Sequence, residues 1–186
     1  LTLMFVAYVM MGLMVTSLWK NEKRLFNVEE RAATSLISSL GFMGGLILVL
    51  VGFYFGATIY VSDIKYAQAL SNQDREKTMN LLVEAINWNS QDDRYYRASS
   101  QAALALLSAE LNKKTTDADK KAKIQNYLAS AINLAKSATE VSPLESTNWS
   151  NLGDVYQNLM GLVDGVDKLA EDSYLKASEL RPGDAA

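Results

Sequence analysis

Residues 1–19 read LTLMFVAYVMMGLMVTSLW without a charge, and residues 32–62 form a second uncharged run. A bilayer core takes about 20 apolar residues as a helix, so the first run and the centre of the second, residues 36–61, are each long enough to cross it. Past Ser62 the pattern changes to short amphipathic stretches. Ile64, Ala67 and Leu70 mark one apolar face, and Leu81, Leu82, Ala85 and Ile86 another, at helical steps. The pattern predicts an all-α chain. Two transmembrane helices occupy residues 1–61, joined by a short basic loop at 20–31, and a helical domain follows over residues 62–186.

The first run lacks a basic start and ends in Trp19, Lys20 and Asn21, where a secretory leader would carry small residues for cleavage, so it reads as a span. Burial of both runs in a soluble core is the alternative. In the second run Gly41, Gly45, Gly52 and Gly56 recur at steps of four, seven and four. At about 100° per residue they share an arc of roughly 60°, a stripe that lets another membrane helix approach closely. Membrane helices also tolerate glycine generally, but scattered glycines would not align on one face. The loop carries Lys20, Lys23, Arg24 and Arg31, and the positive-inside tendency puts it in the cytoplasm and the helical domain on the other side. Lys65, Arg75 and Lys77 follow the second span and reduce that asymmetry.

The amphipathic region divides into three hairpins, about 62–90, 92–143 and 146–182. The first reverses near residues 71–74, with Asn72 or Asp74 as a helix cap. Asp92 and Asp93 open the second, Tyr96 takes its bulky opening place, Ser100 and Ala103 are small, and the returning helix carries Ala131, Ala135 and Ala138 before Pro143. The tract NKKTTDADKKAK at 112–123 reads as a solvated tip between two lengthened helices, with Asp117 or Asp119 capping the second. In the third hairpin Trp149, Leu152, Gly153 and Tyr156 fall at one spacing, followed by Ala170, Tyr174, Ala177 and Pro182 at another. This spacing resembles the tetratricopeptide repeat, in which small residues sit where two helices approach and aromatics fill the seam. The resemblance implies an α-solenoid of about three such hairpins.

Of the 186 residues, 18 are basic and 21 acidic, a formal net charge of −3, which offers no electrostatic reason to expect nucleic acid as a partner. The chain has no Cys and no His, which removes the usual zinc sites, Cys–His pairs and Ser–His–Asp triads. Asp92 with Asp93, and Glu29 with Glu30, are sequence neighbours; on a helix they diverge by about 100° and cannot flank a substrate. Asn148, Trp149 and Ser150 match a glycosylation acceptor, but Trp149 is also a packing marker, so the match carries little weight. No catalytic residue, cofactor or metal is assigned. The chain begins at Leu1 inside an apolar run, and the expectation is a piece of a longer protein.

The order of features is more specific than any one of them. Membrane helices run into YVSDIKYAQAL, then AINWNSQDDRYYRASSQAALAL, a long insertion, STNWSNLGDVYQNLM and KASELRPGD. This is similar to the C-terminal part of bacterial O-antigen ligase or polymerase-like membrane proteins with a tetratricopeptide tail. The resemblance implies a multi-pass protein of the bacterial cell membrane, with more helices upstream, handling lipid-linked glycans in cell-envelope biogenesis. Chemistry in that family is attributed to basic residues on extracytoplasmic segments. Nothing before Ser62 matches such a site, so only the architecture carries over.

Stacked repeats curve into a concave groove lined by the first helix of each hairpin, the natural place for a protein or peptide partner. The candidate groove residues are Arg94, Arg97 and Gln101 on the second hairpin and Asp154, Gln157 and Asn158 on the third, a polar surface of mixed sign. The expected function is a membrane-anchored interaction scaffold within a larger envelope-glycan protein; the alternative is a stand-alone anchored adaptor for secretion or appendage assembly.

Overall fold

The computed structural model describes residues 32–114 and 118–181, together with Met10. The expected first span beyond Met10, the loop at 20–31, Asp117 and Pro182 lie outside the described residues. The described residues form six helices and no strand: α1 (Ala32–Ser71), α2 (Arg75–Trp88), α3 (Asp93–Leu111), α4 (Ala118–Val141), α5 (Ser146–Asn158) and α6 (Val166–Leu180).

Along most of its length α1 is apolar on every side. Ile37, Leu40, Phe42, Leu48, Phe53 and Tyr54 all stand exposed, which water would penalise and hydrocarbon would not. Among the described residues, one helix is long and apolar enough to cross a membrane by length and composition, Ser39–Ser71. Two hydroxyls on this stretch are closed onto its own backbone, a pairing that an apolar surrounding favours: Ser39 donates to the Leu36 carbonyl at 3.1 Å and Thr58 to that of Phe55 at 2.8 Å. A Cβ built on Gly41, Gly45, Gly52 or Gly56 would meet nothing within 4 Å among the described residues.

The chain divides into two compact units, Leu1–Val51 and Gly52–Ala186. The division falls inside α1, ahead of the Ser62 boundary that composition predicts, because the helix runs unbroken to Ser71 and its last turns belong to the second unit. Within that unit α2 packs on α3, α3 on α4, α4 on α5 and α5 on α6, and α3 also meets α5 directly. The core runs through Ala103 and Leu107 of α3, Ala131 and Ala135 of α4, Leu152, Val155 and Tyr156 of α5, and Ala170 of α6. Alanine recurs where α4 faces its neighbours, and Leu side chains fill the space its methyls leave. Burial of each such Leu or Val contributes about 1.5–3 kcal/mol. A smaller cluster joins Ala69 of α1 to Leu81 and Leu82 of α2, with Tyr66, Ala98 and Ala102 around it.

The helix starts follow local hydrogen-bonding chemistry. The Asp74 carboxylate accepts from the Glu76 and Lys77 amides, and Asn72 Oδ1 accepts from the Asp74 amide at 2.9 Å, so both candidate cap residues contribute to one turn. Asp92 caps α3 through the Arg94 amide at 3.0 Å. Glu145 caps α5 through the Thr147 amide at 3.4 Å. Asp119 lies inside the first turn of α4, where its charge complements the positive end of the helix. Gly165, with φ of 75°, begins α6 from the left-handed region that side chains avoid.

Two expectations about the first two hairpins are corrected. Ile64, Ala67 and Leu70 are exposed, and the face of α1 that packs is Ser62, Tyr66 and Ala69. Ser62 and Ala69 admit close approach by the facing helices, and Tyr66 packs its ring against Tyr95. The buried aromatic of α3 is Tyr95, at 0% exposure, and not Tyr96. Tyr95 reaches back to Ser62 and Asp63 on α1, whereas Tyr96 stays half-buried with its hydroxyl on the Ser90 carbonyl at 3.3 Å.

Candidate functional site

The candidate groove residues fall on α3 and α5, the two first helices that meet across the hairpins, and the structure gives each a partner. Arg94 donates through Nε to Asp92 Oδ1 at 2.9 Å and through Nη2 to Asp63 at 3.3 Å, and its guanidinium lies 5.8 Å from the Tyr66 ring centre and 5.7 Å from that of Tyr95. Burial pushes the Asp92 carboxyl up, but the hydrogen bonds and charge of Arg94 outweigh it and hold the group below its ordinary value.

Arg97 donates through Nη1 to the Thr147 hydroxyl and lies 3.7 Å from Asp93 Oδ2. The Thr147 hydroxyl in turn donates a hydrogen bond to Glu145 Oε1 at 2.9 Å. That hydrogen bond, with the Thr147 amide and the charges of Arg97 and Arg181, holds Glu145 below the usual carboxylate range. One turn further on, Gln101 Nε2 donates to Asn151 Oδ1 at 2.7 Å, Asn151 Nδ2 to the Ser100 hydroxyl at 3.0 Å, and Ser100 to the Arg97 carbonyl at 2.7 Å. Every donor in this chain points the same way. It is a satisfied, directional link between α3 and α5.

On the third hairpin the Tyr174 hydroxyl lies 2.7 Å from Asp154 Oδ1 and 2.7 Å from Gln157 Oε1. One phenolic proton cannot serve two acceptors; turning the Gln157 amide over lets it donate to Tyr174 while Tyr174 donates to Asp154. Burial and the Asp154 hydrogen bond raise the Tyr174 phenol to about 12. Asn158 donates to the Asp154 carbonyl on its own helix at 2.8 Å. The six candidates therefore do not converge on one point. Arg94 faces α1, Arg97 and Gln101 bridge to α5, and Asp154 and Gln157 hold α6.

Asn148 is fully buried, with its amide donating to the Ala138 carbonyl at 2.9 Å and the Ser142 carbonyl at 3.1 Å. An amide so placed joins α4 to α5 and is out of reach of a glycosylating enzyme in the folded chain. Its Oδ1 is buried without a partner. Trp149, half-buried, donates from its indole to the Pro143 carbonyl at 2.8 Å.

Sequence reasoning did not single out a cleft of about 240 Å³ between the start of α5 and the end of α6, lined by Thr147, Ser150, Tyr174, Ser178 and Arg181 among others. Its hydroxyls come from both helices of the hairpin, a pairing that no spacing within one helix signals. Among the described residues no group of acidic side chains could hold a metal ion. Comparison of the chain with protein-family models and with curated proteins finds no match.

Proposed function

We infer that the chain is a membrane-anchored tetratricopeptide module, an α-solenoid of three hairpins behind two transmembrane helices, whose helical domain scaffolds protein contacts. The observation that carries this reading is the direct packing of α3 on α5 alongside the sequential packing of neighbouring helices. First helices of successive hairpins meet in this way when repeats stack. Gly153 facing Tyr174, and the buried Ala170 and Ala177, supply the close approach that the marker spacing calls for. The exposed apolar length of α1 supplies the anchor. The engaged state of the candidate groove residues favours a rigid platform over a flexible binding loop.

The order of features favours placement of this module at the C-terminal end of an O-antigen ligase or polymerase-like protein, with the helical domain on the extracytoplasmic side of a bacterial membrane. Two measurements test it. Protease treatment of intact cells should cut the polar 112–123 connection; cleavage only after lysis would overturn the sidedness. Disruption of the gene in its own host should remove long surface glycan on a gel, and an unchanged glycan ladder would leave the anchored adaptor as the reading.

A further inference from the structure

We propose that the turn between α2 and α3 is a lipid-contacting surface, with the indole of Trp88 seated at the headgroup–acyl boundary of a phospholipid bilayer. The inference rests on the reading of α1 as a membrane span and adds a second contact to it. Register carries the placement. Lys65 of α1 pairs with Glu84 of α2 at 2.7 Å, and Thr78 of α2 donates to the Ala69 carbonyl of α1 at 3.3 Å, so the two helices run antiparallel. One turn back along α1 from Lys65 is Val61, and one turn on along α2 from Glu84 is Trp88. Trp88 therefore comes level with the last apolar residues of α1, where Ile59 and Tyr60 are exposed and Ser62 and Asp63 begin the polar region.

Trp88 is itself 47% exposed, whereas Leu81, about two turns earlier on the same stripe of α2, is buried. An indole has an apolar body and one N–H donor, which suits the layer between hydrocarbon and water. The turn that presents it is tied down. The Asn89 amide donates to the Ala85 carbonyl at 3.0 Å, Asn89 Oδ1 accepts from Gln91 at 3.2 Å, and Tyr96 holds the Ser90 carbonyl. The nearby Asp63 and Asp92 share the single cation of Arg94, a balance that offers no attraction to anionic headgroups, so the contact is one of an aromatic ring.

The chain has no Cys, so single labelling sites are clean. The full chain is reconstituted into vesicles of phosphatidylethanolamine and phosphatidylglycerol carrying nitroxide lipids, with an environment-sensitive fluorophore on Tyr60→Cys, Ser90→Cys or Gln73→Cys, the last in the turn at the other end of α2. The Ser90 label should be quenched by shallow nitroxides, in low and high salt, while the Gln73 label is not. Adding Trp88→Ala should bring the Ser90 signal toward the Gln73 level, with circular dichroism unchanged. A quenched Tyr60 label beside an unquenched Ser90 label would overturn the lipid contact and leave the span standing. If the Tyr60 label too is unquenched, the span falls and the contact with it.

Discussion

A Cβ on Gly153 of α5 would lie 2.7 Å from Cε1 of Tyr174 on α6, closer than side-chain carbons approach. Two further atoms of the Tyr174 ring lie as close, Cδ1 at 2.8 Å and Cζ at 2.9 Å. Alanine is a better helix former than glycine by about 1 kcal/mol, but overpacking costs about 1–3 kcal/mol, and the ring is pinned by Asp154 and Gln157. Gly153→Ala should therefore lower the thermal midpoint, Gly153→Val should lower it further, and Tyr174→Leu should relieve part of the loss in the double variant. A midpoint raised by Gly153→Ala would contradict the close approach.

Tyr95 fastens α3 to the last turns of α1. Its hydroxyl lies 2.8 Å from Asp63 Oδ1 and 3.1 Å from Ser62, and its ring is tilted against Tyr66 with centroids 5.2 Å apart. Tyr95→Phe should cost about 0.5–1.5 kcal/mol for the hydrogen bonds, and Tyr95→Ala about 3–5 kcal/mol for the cavity. Arg94→Gln beside it should cost only about 0–1 kcal/mol, since that side chain is half exposed and screened. Chemical denaturation of the three variants checks the order.

Asn151 is the middle of the α3–α5 link. Asn151→Ala leaves Gln101 to water but strips the buried Ser100 hydroxyl of a donor, at about 1–3 kcal/mol. Gln101→Ala should cost less because its side chain is exposed. Hydrogen exchange of α5 amides should accelerate in Asn151→Ala and hardly change in Gln101→Ala.

Two groups give opposite pH tails. Tyr174, raised to about 12 from 10.0, stabilises the fold fully below pH 10 and loses that contribution as pH rises through its folded value. Asp92, held below 3.8, contributes above that value and loses its contribution as pH falls. Melting across the alkaline range should steepen in the parent and flatten in Tyr174→Phe; Asp92→Asn should flatten the acid side.

Local chemistry was readable from the chain, and partnerships between distant residues were not. Asp74 and Asp92 cap helices because a short carboxylate two or three residues ahead of free amides needs no tertiary help. Glu145 was missed because its longer side chain is an uncommon cap, and here it is steadied by Thr147. On the last turns of α1 the hydrophobic pattern points to Ile64, Ala67 and Leu70, but the facing helices pack on Ser62, Tyr66 and Ala69, a choice made by partners that the period within one helix does not contain. Tyr95 and Tyr96 are equally aromatic; what separates them is Ser62 and Asp63, more than thirty residues earlier. The candidate groove residues are polar, and their engagement depends on facing helices that no single-helix period describes.

The link from Gln101 through Asn151 to Ser100 also sets how α3 and α5 may meet. Grease alone would let one helix slide a turn along the other at little penalty. Here a slide would strand amide and hydroxyl groups against methyls, so the two rods mesh in a single position, as a toothed coupling does.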